Sequence, residues 1–215
     1  MADVRSRTEV RRKPDRARYE REVIDAILDE APFCHVGFVD DGQPFVIPMI
    51  HARIDDTLYL HGSPGGRLVR LLGSGVWICV TATILDGLVL ARSAAQHSLN
   101  YRSAVVLGQP RPIDEQEKLR ALEAVVDHVL PGRRADVRAP SERELKSTQV
   151  VALAIDEASA KIRSGPPKDL DDDLDLPVWA GVVPLRVTAG EPVPVDDLRD
   201  GVRVPAYVAG HRRHT

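Results

Sequence analysis

The chain has 215 residues, 43% of them hydrophobic, and a formal net charge of −3. This length is enough for one hydrophobic core, and the small net charge argues against nucleic acid or a membrane surface as the main partner. No apolar run approaches the ~20 residues that cross a bilayer, and no apolar secretory segment opens the sequence. We therefore expect a cytoplasmic protein.

The first predicted element is a helix over residues 16–30, with Asp15 as its N-cap. Apolar residues recur on one face of it at helical spacing: Val23, Ile24, Ile27, Leu28 and Ala31. Residues 5–21 are rich in Lys and Arg, which outnumber the acids there. We interpret residues 1–14 as a solvated N-terminal arm that leads into this helix.

After the helix, the hydrophobic period becomes that of β-strands. Strands are predicted over residues 33–39, 44–54, 57–61, 76–85, 88–91 and 101–109. The dipeptides Asp41-Gly42 and Asp86-Gly87 are typical of hairpin turns, because both residue types tolerate positive φ, and Asp55-Asp56 serves the same purpose less decisively. Short strands joined by hairpins predict an antiparallel barrel or sandwich.

A second long helix is predicted over residues 115–130, because Asp114 and Glu117 have the spacing of a capping box. Ser141 and Glu144 repeat that spacing before a short helix, and residues 150–155 then form an apolar strand that we expect to close the barrel. An apolar island over residues 177–185 precedes a Pro-rich tail.

Residues 58–67 form an apolar strand that delivers His61 into a glycine-rich loop ending at Arg67. Free backbone N–H groups, a helix N-terminus and a guanidinium are the usual supports of a bound phosphate. The loop lacks the Gly-Lys-Ser/Thr ending of a nucleoside triphosphate loop, so a cofactor with one or two phosphates suits it better than ATP. The alternative is an ordinary strand, turn and helix.

Three segments, at residues 45–49, 59–64 and 99–108, together resemble the pyridoxamine 5'-phosphate oxidase-like proteins, and in particular the branch that contains the nitroimidazole-resistance reductases. The most specific motif is Asn100-Tyr101-Arg102-Ser103, followed by an apolar strand and a glycine. The resemblance implies a mostly β (α+β) fold: a homodimeric split β-barrel of about six to seven antiparallel strands with flanking helices. It also implies that FMN binds between the two subunits.

The resemblance implies a set of cofactor-binding residues: Val46, Ile47, Pro48, Met49, His61, Gly62, Ser63, Arg67, Tyr101, Arg102 and Ser103. Strand alternation in residues 159–163 adds Lys161 as a further candidate. The first four would run along the flavin ring, and Ser63 and Arg67 would hold the FMN phosphate. Strand alternation sends Tyr101 and Ser103 to one face, toward flavin or substrate, and Arg102 to the other, nearer the phosphate or the dimer seam. Lys161 would offer a cation to an anionic group, although a solvated edge strand also explains it.

His61 is the predicted catalytic residue, because the matching histidine of the resembled branch lies beside the flavin. A histidine there could donate a proton to a reduced substrate. The alternative is a histidine that only forms a hydrogen bond to the cofactor or to a carbonyl. The other histidines show no metal-binding spacing, so we expect no bound metal ion.

The resemblance implies an FMN-dependent oxidoreductase that reduces a small planar or nitroaromatic compound, with electrons from a nicotinamide or a partner reductase. The alternatives are a non-catalytic flavin- or haem-binding carrier or sensor, with haem or a deazaflavin replacing FMN, and an unrelated β-barrel interaction protein. Vitamin B6 oxidation is not expected, because the tail lacks a recognisable arrangement for pyridoxal phosphate. We expect residues 15–185 to form the FMN-binding domain and residues 186–215 a C-terminal extension.

Overall fold

The computed structural model describes residues 5–66, 71 and 74–211. Its helices are α1 (Arg5–Thr8), α2 (Arg21–Glu30), α3 (Glu115–Val129), α4 (Glu142–Lys146) and α5 (Ala206–Ala209). Its strands are β1 (Ala17–Arg18), β2 (Cys34–Asp40), β3 (Gln43–Met49), β4 (His51–Ile54), β5 (Thr57–Gly62), β6 (Ile78–Leu90), β7 (Ser98–Gly108), β8 (Arg111–Pro112), β9 (Gln149–Ala154), β10 (Glu157–Arg163) and β11 (Gly181–Pro184).

The strands form two antiparallel sheets. The larger sheet has seven strands in the order β1-β10-β7-β6-β2-β3, with β11 added on β6, and the smaller sheet has the order β4-β5-β9-β8. The expected mostly β, split-barrel architecture with flanking helices is confirmed.

The main core lies between the two sheets and is closed at one side by α2. Leu58 and Leu60 of β5 meet Val36, Val80 and Val106 of the larger sheet there, all of them fully buried. A second cluster, formed by Tyr59, Ala121, Val150 and Ala152, joins the other face of the smaller sheet to α3. Each face of β5 is therefore covered by a different layer, and successive β5 side chains enter different environments.

The predicted start of the first helix is wrong. Residues 14–16 form a 3₁₀ turn, and β1 then pairs with β10 through Ala17 opposite Lys161. Helix α2 therefore begins only at Arg21, and its N-cap, Glu20, makes no side-chain capping bond. The pairing with β10 removes Ala17 and Arg18 from the helix.

Two further strand predictions are corrected. The predicted strand over residues 44–54 divides at Ile50 into β3 and β4, which belong to different sheets. The predicted hairpin at Asp86-Gly87 is wrong: β6 continues through it, with a register shift between Leu85 and Gly87. The turn at Asp41-Gly42 is confirmed, with φ values of 49° and 79°.

None of the helices in the described ranges is both long and apolar enough to span a membrane.

Candidate functional site

His61 lies at the end of β5 and lines a cavity between the smaller sheet and α3. The cavity has a volume of about 640 Å³. Its other described lining residues are Leu122, Glu123, Val125, Val126, Arg134, Val137, Arg138, Ala139, Pro140, Glu144 and Thr148. We call it the His61 cavity. Because its walls are largely aliphatic, it suits a hydrophobic ligand more than a hydrated one.

The charged residues of the His61 cavity form ion pairs. Arg138 makes a bidentate pair with Glu144, at 2.7 and 2.6 Å, and Arg134 donates to Glu123 over 2.9 Å. The Arg138 guanidinium holds the pKa of the Glu144 carboxyl below its ordinary value. Two guanidinium groups therefore lie beside an aliphatic cavity and could bind the carboxylates of a ligand.

Burial lowers the pKa of His61, because the charged imidazolium would lose its hydration. Its Nδ1 atom is buried and has no hydrogen-bond partner among the described residues. A buried polar atom without a partner is uncommon in a native protein and calls for an explanation. A neutral imidazole is a good ligand for iron and a good hydrogen-bond acceptor, and either role would satisfy the ring.

The loop after His61 is described only as far as Gly66. The N–H of Gly66 donates to the Ser63 carbonyl over 2.9 Å, which closes a tight turn, and the Ser63 side chain is exposed. A Cβ atom at Gly66 would approach that carbonyl to 3.1 Å. Arg67, the predicted phosphate ligand, lies outside the described residues, so the phosphate-binding role of Gly62, Ser63 and Arg67 stays a prediction.

The four β3 residues predicted to line a flavin have side chains on two faces of the larger sheet. Ile47 and Met49 pack against the main core, whereas Val46 and Pro48 are exposed on the outer face. Val46 is 66% exposed. A ligand on that outer face would contact the side chains of Val46 and Pro48, and Met49 would not offer it the surface that we expected.

The predicted alternation along β7 is confirmed. Arg102 lies on the inner side of the larger sheet, where it forms ion pairs with Glu30 at the end of α2 and with Asp86 at the β6 irregularity, the latter at 2.9 Å. These two carboxylates raise the pKa of its guanidinium. Arg102 therefore connects α2 to β6 and β7. Tyr101 and Ser103 point to the opposite face.

Ser103 and Lys161 come together at a second cavity, of about 300 Å³, on the outer face of the larger sheet. The other residues that line it are Val105 and Ser159 of the sheet and Arg7, Thr8, Val10, Arg11 and Arg12 of the N-terminal arm. We call it the arm cavity. The described lining residues of the two cavities do not overlap. Within one chain, His61 thus lies apart from Ser103 and Lys161.

Four cavity residues, Arg11, Arg12, Arg134 and Arg138, are not among those predicted from the sequence. The basic composition of residues 5–21 is a signal for the first two, which we interpreted as a solvated arm. No comparable signal marks Arg134 and Arg138, because they follow α3 in a region without a recognisable motif.

The sequence and the fold were compared with known proteins. A family model described as pyridoxamine 5'-phosphate oxidase matches residues 20–162. None of the curated proteins matches the sequence.

Among solved structures, the flavocytochrome Anf3 from Azotobacter vinelandii is 40% identical, with a TM-score of 0.90, over 97% of this chain and 98% of its own. The FAD and heme binding protein from Mycobacterium smegmatis is 38% identical, with a TM-score of 0.88, over 93% of this chain and 100% of its own. A candidate 5-nitroimidazole antibiotic resistance protein from Bacteroides thetaiotaomicron is 27% identical, with a TM-score of 0.57, over 68% of this chain and 86% of its own. The matched segment holds β5 with His61 and all of β7, and the chain belongs to the pyridoxamine 5'-phosphate oxidase family.

Proposed function

We propose that this protein binds both a flavin and a haem and acts as a redox protein, and that His61 would hold the haem. The observation that carries the proposal is the His61 cavity, which is lined by a half-buried imidazole whose buried Nδ1 atom has no hydrogen-bond partner among the described residues. Two relatives of nearly full length support it, since one is a flavocytochrome and the other is an FAD and heme binding protein.

The residues of the His61 cavity suit a haem. Its volume of about 640 Å³ is in the middle of the range of about 300–1,000 Å³ for small-molecule and cofactor sites. Leu122, Val125 and Val126 offer apolar contact to a macrocycle, and Arg134 and Arg138 would bind its two propionates. His61 and the low polarity of the cavity walls would tune the redox chemistry of a bound haem.

The outer face of the larger sheet is the proposed flavin site. Exposed Val46 and Pro48 would contact the ring, and Ser103 and Lys161 would contact its polar extension. We infer FAD in place of the FMN expected from the sequence, because the FAD and heme binding protein is 38% identical over almost the whole chain. When bound, the flavin would supply hydride chemistry and the haem one-electron or O₂ chemistry.

The lowered pKa favours His61 as a ligand over His61 as a proton donor. Burial disfavours its charged form and shifts the pKa below the ordinary value of about 6.5. A general acid works best with a pKa near the operating pH. The second candidate function, reduction of a nitroaromatic compound beside a flavin, is supported by the 27% identical protein and by a cavity with room for a planar molecule.

Absorption spectroscopy tests the proposal. The purified protein is titrated with haemin and, separately, with FAD, and we expect a Soret band at one haem per chain together with flavin bands. His61→Ala should lose the Soret band and keep the flavin bands, and added imidazole should restore haem binding. His97→Ala is the control, because His97 is exposed and its Nδ1 lies 3.0 Å from the Ser93 carbonyl oxygen. An unchanged Soret band in His61→Ala would overturn the assignment.

A further inference from the structure

The arm cavity lies between two parts of the chain that are far apart in sequence. On one side is the N-terminal arm, and on the other are outward-facing residues of β7 and β10. The arm is held to the sheet by Lys161, whose Nζ donates to the Arg12 carbonyl over 3.0 Å, and by the ion pair of Arg7 with Glu157. The cavity is thus built by packing of the arm on the sheet.

The arm cavity contains more positive charge than its carboxylates neutralise. Arg7 is paired with Glu157 and also lies over the Trp77 ring, 4.0 Å from its centroid. Among the residues that the structure describes, Arg11 has only a distant partner, with its Nε 3.9 Å from a Glu9 oxygen. Arg12 and Lys161 have no carboxylate partner within the described residues.

Hydroxyl groups complete the arm cavity. Ser103 and Ser159 lie on neighbouring strands beside Lys161, and Ser159 is only 5% exposed. Guanidinium, ammonium and hydroxyl donors around one cavity are the groups that proteins use to bind phosphate. The volume of about 300 Å³ accommodates part of a dinucleotide but not all of it.

The sheet register places the arm cavity on the proposed flavin face. Pro48 of β3 pairs with His35, which pairs with Thr81, which pairs with Val105, which pairs with Ser159. These five residues form one row across five strands. With strands about 4.8 Å apart, the row is about 19 Å long. An extended ligand that starts at β3 can therefore reach the cations of the arm cavity without leaving the outer face.

We propose that the arm cavity binds the distal, adenosine-linked phosphate of FAD through Arg11, Arg12, Ser103 and Lys161, and that it makes the protein select FAD over FMN. Both cofactors carry a phosphate on the ribityl chain, and FAD carries a second phosphate and an adenosine beyond it. The inference rests on the proposed flavin function, and it assigns to the basic arm the role of distinguishing the two cofactors.

Titration of the flavin-free protein with FAD and with FMN, followed by flavin fluorescence, tests this inference. Arg12→Gln and Lys161→Met should each weaken FAD binding at least tenfold and change FMN binding less than threefold. Lys13→Gln is the matched control, since Lys13 belongs to the same exposed arm and does not line the cavity. Circular dichroism and a thermal melt would verify that each variant is folded.

Three results would overturn the inference. FAD binding that is unchanged in both variants, or weakened no more than in Lys13→Gln, would show that the distal phosphate of FAD does not bind in this cavity. Equal weakening of FAD and FMN would place the FMN phosphate there. A tenfold loss of NADH binding with unchanged FAD binding would assign the cavity to a nicotinamide donor. If the wild-type protein binds neither FAD nor FMN, the proposed flavin function itself fails. The three results above are all read on a wild-type protein that binds flavin, so the two kinds of failure can be told apart.

Discussion

Arg102 shows how one residue of a family motif can serve the fold. Its side chain is 26% exposed, and the guanidinium lies between the carboxylates of Glu30 and Asp86. Without the cation, the two carboxylates would face each other in a half-buried setting. A buried ion pair that loses one partner costs about 3–5 kcal/mol, and an exposed one costs at most about 1 kcal/mol.

We expect Arg102→Met to lower the free energy of unfolding by about 1–3 kcal/mol, between those two limits. Flavin affinity should stay within threefold of the wild-type value, because the inner-side ion pairs do not reach the outer face. Urea denaturation and a flavin titration measure the two quantities. Arg138→Met is the matched control, since Arg138 also makes a bidentate pair but in an exposed position, and it should change stability little. A large loss of flavin affinity with normal stability would show instead that Arg102 belongs to the cofactor site, as predicted from the sequence.

The candidate site could be predicted from sequence only where the signal is local. His61 stands out because it joins a strand to a glycine-rich loop, and the alternation of Tyr101, Arg102 and Ser103 follows from strand geometry. The contact between Arg12 and Lys161 joins residues 149 positions apart, and no short-range pattern reports it. The sequence therefore yielded candidate residues but not their division between two cavities.

Helices and strands, too, could be predicted from the sequence only where the signal is local. Asp114 and Ser141 cap their helices as predicted, since a cap depends on a few neighbouring residues, and Asp114 accepts from the Glu117 N–H over 2.8 Å. Asp86-Gly87 looks like a hairpin dipeptide, yet β6 continues through it because β7 and β11 pair on both sides. Tertiary pairing overrides the local turn preference at that point.

Position 87 of β6 requires a glycine, because β11 packs too closely against it to leave room for a side chain. A Cβ atom at this position would lie 3.0 Å from the Val183 carbonyl oxygen and 3.1 Å from Val182 Cγ1, both in β11. We expect Gly87→Ala to destabilise the fold by about 1–3 kcal/mol, the usual cost of overpacking, as measured by urea denaturation. In Gly190→Ala, where no atom lies within 4 Å, stability should be nearly unchanged. Equal stability of the two variants would show that β11 moves away freely.

At the scale of the whole molecule, the β2–β3 hairpin exposes apolar side chains on the outer face of the larger sheet. Val39 and Val46 are 53% and 66% exposed, and Phe33, the residue before β2, is 46% exposed. Clustered apolar exposure of this kind marks an interaction surface more often than a solvated one. A second copy of the chain would cover it and would also enclose the proposed flavin site, which is open in a single chain.

We therefore predict a homodimer with twice the chain mass of 23.6 kDa, measured by light scattering after size exclusion. Val39→Asp should shift the protein toward the monomer, because a charge buried without a partner opposes association. It should also weaken FAD binding, since in the predicted dimer the two subunits would enclose the cofactor between them. Val193→Asp is the control, because Val193 is 89% exposed in the C-terminal tail, away from the hairpin, and both mass and affinity should stay as in the wild type. A wild-type monomer that binds FAD with full affinity would contradict a flavin site shared between two subunits. It would show that a single subunit binds the flavin.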